Sequence, residues 1–271
     1  MAAEIGRHKI ESTIDMTASK SDIIEMLESM GVQRGMLLLV QGDMRRLGYV
    51  CGGAQALIEA LMEAVSYEGT IVMPAFTDSL VDPSCMRKQM LERDCWDDVR
   101  HAALPFDRKK TVDGLKDTLA LQFMRNEGVL RSYHPLHSFL AWGKYAKVLC
   151  DKHPLHFSLS KDSPLGRLYD MNAFVLELGV SYRNCVVFHL AHYYDETEPI
   201  HVVCAPIEKG QRMIWKDMLD LDFDNTAYET LGEIMEDRNI VKEGFLNRGL
   251  CRLFSAREAV NIANAYFHIQ K

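Results

Sequence analysis

The stretch VVFHLAHYYDE (186–196) carries two imidazoles and a carboxylate at helical spacing, His189, His192 and Glu196. Residues three and four apart share a helix face, so one face presents all three. An imidazole that titrates near neutrality can take a proton from an attacking nucleophile, which makes His189 a candidate general base. The same trio can hold a metal ion, or can pack and solvate an ordinary helix. A second candidate is Gln41-Gly42-Asp43-Met44, which opens the glycine-rich segment QGDMRRLGYVCGG. Such a turn after a strand can hold phosphates on backbone N–H groups and a helix end, although it carries neither GxGxxG nor a Walker lysine. The third is RSYHPLHS (131–138), in which Arg131 and Ser132 can donate to phosphate or carboxylate and His134 is held extended by the proline after it. In a fourth stretch Asp78, Asp82, Asp94, Asp97 and Asp98 surround Trp96. These acids can receive a polycationic substrate or form a solvated face, and Asp195, beside Glu196, is a further candidate contact.

The elements that must carry these groups alternate between helix and strand. MLLLV (36–40), TIVMP (70–74) and AFVLELGV (173–180) are continuous apolar runs of the length of a strand buried on both faces. SDIIEMLESM ends at Gly31 and AQALIEALMEAV has helical apolar spacing, so residues 36–74 read as a parallel crossover unit. From Thr77 to about Lys110 the chain is irregular, with room for one short helix, and long loops of this kind commonly carry function. Helices are expected over 113–126, near 143–150 and over 186–196, and Ser163-Pro164 caps another. PIHVVCAPI and QRMIWKDM flank Glu208-Lys209-Gly210 as an antiparallel hairpin; a helix near 226–238, the strand CRLF and a final helix with a Ser255–Glu258 capping box follow. The expectation is a single α/β domain over 1–271, with a mostly parallel central sheet flanked by helices, a C-terminal antiparallel hairpin and a flexible arm at 1–18.

Composition narrows the partners. The 271 residues are 48% hydrophobic and 25% charged, an ordinary globular balance. With 31 Lys+Arg against 38 Asp+Glu the net charge is −7, so the basic footprint that neutralises nucleic-acid phosphates is missing. No apolar run approaches the roughly 18 residues of a membrane span, and the first twenty residues lack a signal-peptide layout. A cytoplasmic protein that binds neither membrane nor nucleic acid is expected. Seven scattered cysteines with no CxxC pair argue against a disulfide framework or a thiolate zinc site.

In order and spacing, GVQRGMLLLVQGDMRRLGYVCGGAQALIEALMEAV, EGTIVMPAFT, GVLRSYHPLHSFLAWGKYA, SPLGRLYDMNAFVLELGVSYRNCVVFHLAHY and CRLFSAREAV resemble the aminoglycoside 3-N-acetyltransferase family, from about residue 20 to the end. The resemblance implies acetyl transfer from acetyl-coenzyme A to an amine, typically the 3-amino group of a 2-deoxystreptamine aminoglycoside, with no metal. The family's base, the histidine of NT-x-x-HLAE, falls on His189, and its phosphate turn, usually VHSSL, falls on Val40 to Met44. Here that turn has lost both serines and gained Asp43. HLAE has become His189-Leu190-Ala191-His192, leaving Glu196, Asp195, Asp170 and Glu177 as groups that could orient the base. The cations Arg108, Lys109 and Lys110 would repel an aminoglycoside that faced them and would suit a coenzyme phosphate. The same chemistry on another small amine, and a catalytically weak relative that only binds coenzyme or aminoglycoside, are the alternatives.

Overall fold

The computed structural model describes residues 16–86, 88–112, 118–194, 198–222 and 224–269. Its first half runs through β1 (Thr17–Ala18), α1 (Lys20–Met30), β2 (Leu37–Gly42), β3 (Tyr49–Val50), α2 (Gly53–Val65) and β4 (Thr70–Phe76). After the irregular excursion come α3 (Trp96–Ala102), α4 (Thr118–Met124), β5 (Leu130–Arg131), β6 (His137–Gly143), α5 (Ala146–Asp151) and α6 (Pro164–Asp170). The chain then passes through β7 (Phe174–Leu178), α7 (His189–His192), the hairpin β8 (Ile200–Lys209) and β9 (Arg212–Leu221), α8 (Tyr228–Asp237), β10 (Lys242–Leu246), β11 (Gly249–Ser255) and α9 (Ala256–Ile269).

Seven strands form the central sheet in the order β10-β11-β7-β2-β4-β6-β5. The three apolar runs are its middle, β7-β2-β4, and these pair in parallel. Parallel pairing, expected for most of the sheet, stops there: β6 runs antiparallel to β4, and β5, β11 and β10 add antiparallel edges. Short links explain two of these edges, since the few residues between β5 and β6 and between β10 and β11 can reach only an antiparallel neighbour. Both faces of β2 are covered. Leu38 and Val40 pack with Ile23, Leu27, Leu57 and Leu61 of α1 and α2, while Leu37 and Leu39 pack with Val175, Phe188, Leu231 and Val260 on the other side. That double burial is why the strand reads as an unbroken apolar run.

Local signals work largely as expected. Ser19 caps α1 in a reciprocal box with Asp22, and Gly31 ends the helix at φ 94° in the left-handed region. Ser163 accepts from the backbone N–H groups of Leu165 and Gly166 with Pro164 at the first helical turn. The β8–β9 hairpin turns on Gly210 and Gln211 at φ 57° and 64°, one residue later than expected, as a two-residue turn with both residues at positive φ requires. Other expectations need correction. The helix expected over 186–196 is a 3-10 turn at Val186–Phe188 followed by the four residues of α7. Of the helix expected over 113–126, residues 113–117 lie outside the described residues and α4 supplies the rest. The excursion holds α3 plus three 3-10 turns. Thr17 and Ala18, at the end of the expected arm, pair with Tyr49 and Val50; residues 1–15 lie outside the described residues. All seven cysteines are free, four of them buried. Among the described residues no helix is long and apolar enough to cross a membrane.

Candidate active site

β2, β4 and β7 end together at one side of the sheet, and β6 begins there, since Phe76 pairs with His137. The chain leaving β7 must turn back over this edge, and the turn carries His189. Three side chains in register on one face hold it: Gln41 opposite Glu177, and Glu177 opposite Arg252. The Gln41 amide donates to the Asn184 carbonyl (2.7 Å) and accepts from the Val186 N–H (2.9 Å), clamping the turn three residues before the histidine. Arg252 lies over the Tyr182 ring, 4.4 Å from its centroid. Gln41→Leu is expected to cost about 1–3 kcal/mol by stranding two backbone groups, and to lower turnover by loosening His189. Urea unfolding and steady-state rates read the two effects separately.

Glu177 is fully buried beside the Cys185 thiol, and burial pushes its carboxyl up to about 7. An acid held above its ordinary value binds more protons in the native state than in the unfolded one. Its stabilising share is therefore complete below about pH 4.5 and is lost as pH rises through about 7. Relative to Glu177→Gln, the wild-type protein is expected to lose on the order of 2–3 kcal/mol between pH 4.5 and 7.5. Paired urea titrations across that range would show it, and a constant difference would refute it.

His189 stands half-buried at the start of α7, its Nδ1 3.0 Å from the hydroxyl of Tyr228 at the start of α8. It lines a cleft of about 460 Å³ bounded by the excursion on one side and the β8–β9 hairpin on the other. Backbone bonds strap these two walls together, from Asp82 N–H to the Cys204 carbonyl (2.8 Å) and from Phe106 N–H to the Pro206 carbonyl (2.9 Å). A second histidine, His137, enters the same cleft from β6. Its Nδ1 is 2.5 Å from Ser158 Oγ, which donates to buried Asp220 (2.6 Å); Tyr193 and the Leu221 N–H also donate to that carboxylate.

The other expected site residues are distributed differently. His192 is buried, with its ring stacked on Phe267 at 4.4 Å and its Nδ1 2.7 Å from Glu198, and it is not among the residues that line the cleft. Glu196 and Asp195 lie outside the described residues. Asp78 lines the cleft. Asp82 does not: it is buried and gripped by Arg100 at 2.7 and 2.9 Å, which holds its carboxyl down at about 2. Trp96 bonds the Leu91 carbonyl and lies near Arg93 and Arg100, off the cleft lining. Arg131 is buried and donates to Ser138 Oγ and to the carbonyls of Thr111 and Ala75. Ser132 binds His153 and the Phe139 N–H, and buried His134 accepts from the N–H groups of Leu136 and His137. These three residues build the sheet edge, so their donors and acceptors are spent on the protein itself. No group of three metal-ligating side chains occurs among the described residues.

The loop after β2 also departs from expectation. Gly42 still belongs to the strand, and α2 starts only at Gly53. The N–H groups of Asp43, Arg45, Arg46 and Leu47 are bonded within the fold, so they do not form an open phosphate cradle. Met44 packs partly against the core on the α1–α2 side. What the loop offers instead is charge. Arg45 and Arg46 are 86% and 70% exposed, and Arg45 ties up the Asp43 carboxylate that would otherwise repel an anion. Arg108, Lys109 and Lys110 are exposed beyond β5, with Arg108 over the Tyr133 ring at 5.4 Å. These side chains fit a polyanion. Tyr228, Ser158 and Asp220 had no sequence signal, because each meets its histidine only through the fold.

A family model described as Aminoglycoside 3-N-acetyltransferase matches residues 39–268. The chain belongs to this family. It is 35% identical over 261 residues to the SPbeta prophage-derived aminoglycoside N(3')-acetyltransferase-like protein YokD of Bacillus subtilis (strain 168), covering 96% of each chain. The crystal structure of YokD superposes with a TM-score of 0.88 at 34% identity, covering 93% of this chain and 94% of that one. Aminoglycoside N(3)-acetyltransferase III of Pseudomonas aeruginosa is 26% identical over 269 residues, covering 92% of this chain and 93% of the relative. The structure of AAC-IIIb with CoASH, at 19% identity, shares the fold at a TM-score of 0.84, covering 94% of this chain and 98% of that one. The protein is thus an aminoglycoside 3-N-acetyltransferase-like acyltransferase.

Proposed function

We propose that the protein transfers the acetyl group of acetyl-coenzyme A directly to an amine, with His189 as the general base. The observation that carries this reading is the position of His189: it lines the cleft at the carboxyl ends of the parallel strands, with Nδ1 held by the Tyr228 hydroxyl. When Nδ1 keeps its proton and donates it to that hydroxyl, Nε2 is left with the lone pair a base needs. The acyl donor supplies an activated thioester. An ammonium group has no lone pair to attack with, so His189 must accept a proton before the new N–C bond can form. As that bond forms, the C–S bond breaks, and the proton on His189 can return to the departing sulfur. Tyr228 then positions the imidazole, the part that a neighbouring acid plays in many general-base pairs.

The exposed guanidinium groups of Arg45 and Arg46, with the cationic run 108–110, would meet the coenzyme's phosphates. This binding rests on side-chain charge, since the backbone donors after β2 are engaged. The names of the relatives support an amine acceptor of the amino-sugar kind; how well such an acceptor suits this chain's own cleft is a separate matter of charge. The test is release of coenzyme thiol from acetyl-coenzyme A with and without added amine. Release that depends on the amine, with N-acetylated product by mass spectrometry, is expected. Coenzyme binding with no amine-dependent release from any acceptor would overturn the reading.

A further inference from the structure

The cleft in front of His189 is walled by apolar side chains. Phe76 and Leu136 come from the sheet edge, Met86 and Met90 from the excursion, and Val203 and Leu221 from the hairpin. Among the described residues its carboxylates are Asp78 and Asp220, and its cation is Lys88. Asp220 is committed to Ser158, Tyr193 and the Leu221 N–H, so most of its acceptor capacity faces the protein. The acids that lie nearby in sequence do not add to the wall. Asp82 is locked to Arg100, Asp97 pairs with the same guanidinium at 3.2 Å, and Asp94 and Asp98 are off the lining.

We propose, resting on the transfer reaction above, that the acceptor is an amine carrying one ammonium group on an apolar body rather than a polycationic amino sugar. A polycation entering this cleft would bring several ammonium groups to a wall with one outward-facing carboxylate and an opposing lysine. Each unpaired ammonium would lose water without gaining a counter-charge. An apolar body instead buries hydrocarbon against Met86, Val203 and Leu221, which is favourable in proportion to the area covered. One amine then reaches His189, with His137 as a second polar point on the wall.

The test compares acceptors at fixed acetyl-coenzyme A: the straight-chain amines from butylamine to octylamine and 2-phenylethylamine against sisomicin and neomycin. The expected result is a kcat/KM that rises up to about fourfold per added methylene and exceeds that of either aminoglycoside at least tenfold. An aminoglycoside used as well as the best monoamine would overturn the substrate class while leaving acetyl transfer standing. Release with none of the amines would overturn both. Lys88→Glu, at an exposed position, is expected to raise kcat/KM for sisomicin about tenfold through the amine's KM. If the change fell on the KM for acetyl-coenzyme A instead, the wall would belong to the coenzyme and the proposal would fail.

Discussion

His189→Ala is expected to lower kcat for amine-dependent thiol release by about 10²–10⁴-fold, the usual range for losing a positioned general base. The loss should fall on kcat more than on the KM for acetyl-coenzyme A, because the cations suited to phosphate lie on the loops after β2 and beyond β5 rather than on α7. His189 is half-buried at the edge of a cleft, so its truncation should leave the core under α7, formed by Leu190, Ala191 and Phe188, in place. Circular dichroism and thermal unfolding would verify that. Tyr228→Phe keeps the ring packed against Phe188 and removes only the hydroxyl. It should reduce kcat about tenfold, since it frees the imidazole without deleting it. Retention of more than a tenth of wild-type kcat by His189→Ala would move the base elsewhere, and His137 would be the next residue to replace.

The second large effect is structural. Asp220→Ala is expected to lower unfolding free energy by about 3–5 kcal/mol, because several donors would be stranded at once in a buried place. Ser158 supplies two of them, through Oγ at 2.6 Å and N–H at 3.4 Å; the Leu221 N–H at 3.0 Å and the Tyr193 hydroxyl complete the set. Tyr193 follows α7 directly, and Ser158 lies against His137, so the carboxylate ties the end of the hairpin to both histidine-bearing segments. For a chain of this size the corresponding fall in Tm is about 6–15 °C. Asp220→Asn, which keeps part of the acceptor set, should lose less than half as much. A loss below about 1 kcal/mol for Asp220→Ala would mean that water replaces the carboxylate at little cost.

Much of the scaffold was legible because its signals are local. The runs at 36–40, 70–74 and 173–180 became the three parallel strands, and the caps at Gly31 and Ser163 end and start helices. The hairpin at 200–221 followed from two extended runs around a glycine turn. The antiparallel edges were less legible, since β5 and β10 are short and their partners are set by which free edge lies within reach of the connection. The site was harder still. His189 could be singled out from the strand before it and from the family resemblance. Gln41, read as a coenzyme contact, instead clamps the turn ahead of His189, and Arg131, Ser132 and His134 proved to be interior joints of the sheet edge.

Charge shows the same division. The count of 38 acidic against 31 basic residues belongs to the whole chain and says nothing about which of them meet. By itself the sequence determined the alternation of elements, the family and the residue at the head of α7, because apolar periodicity, caps and motif order act between near neighbours. Tertiary structure alone decided that Tyr228 meets His189, that Asp220 gathers Ser158 and Tyr193, and that Arg100 neutralises Asp82. Gln41 reaches Val186 across 145 positions and Tyr228 reaches His189 across 39. Polar contacts over such separations have no period to read; they exist only because the packed sheet brings strand ends, excursion and hairpin to one edge.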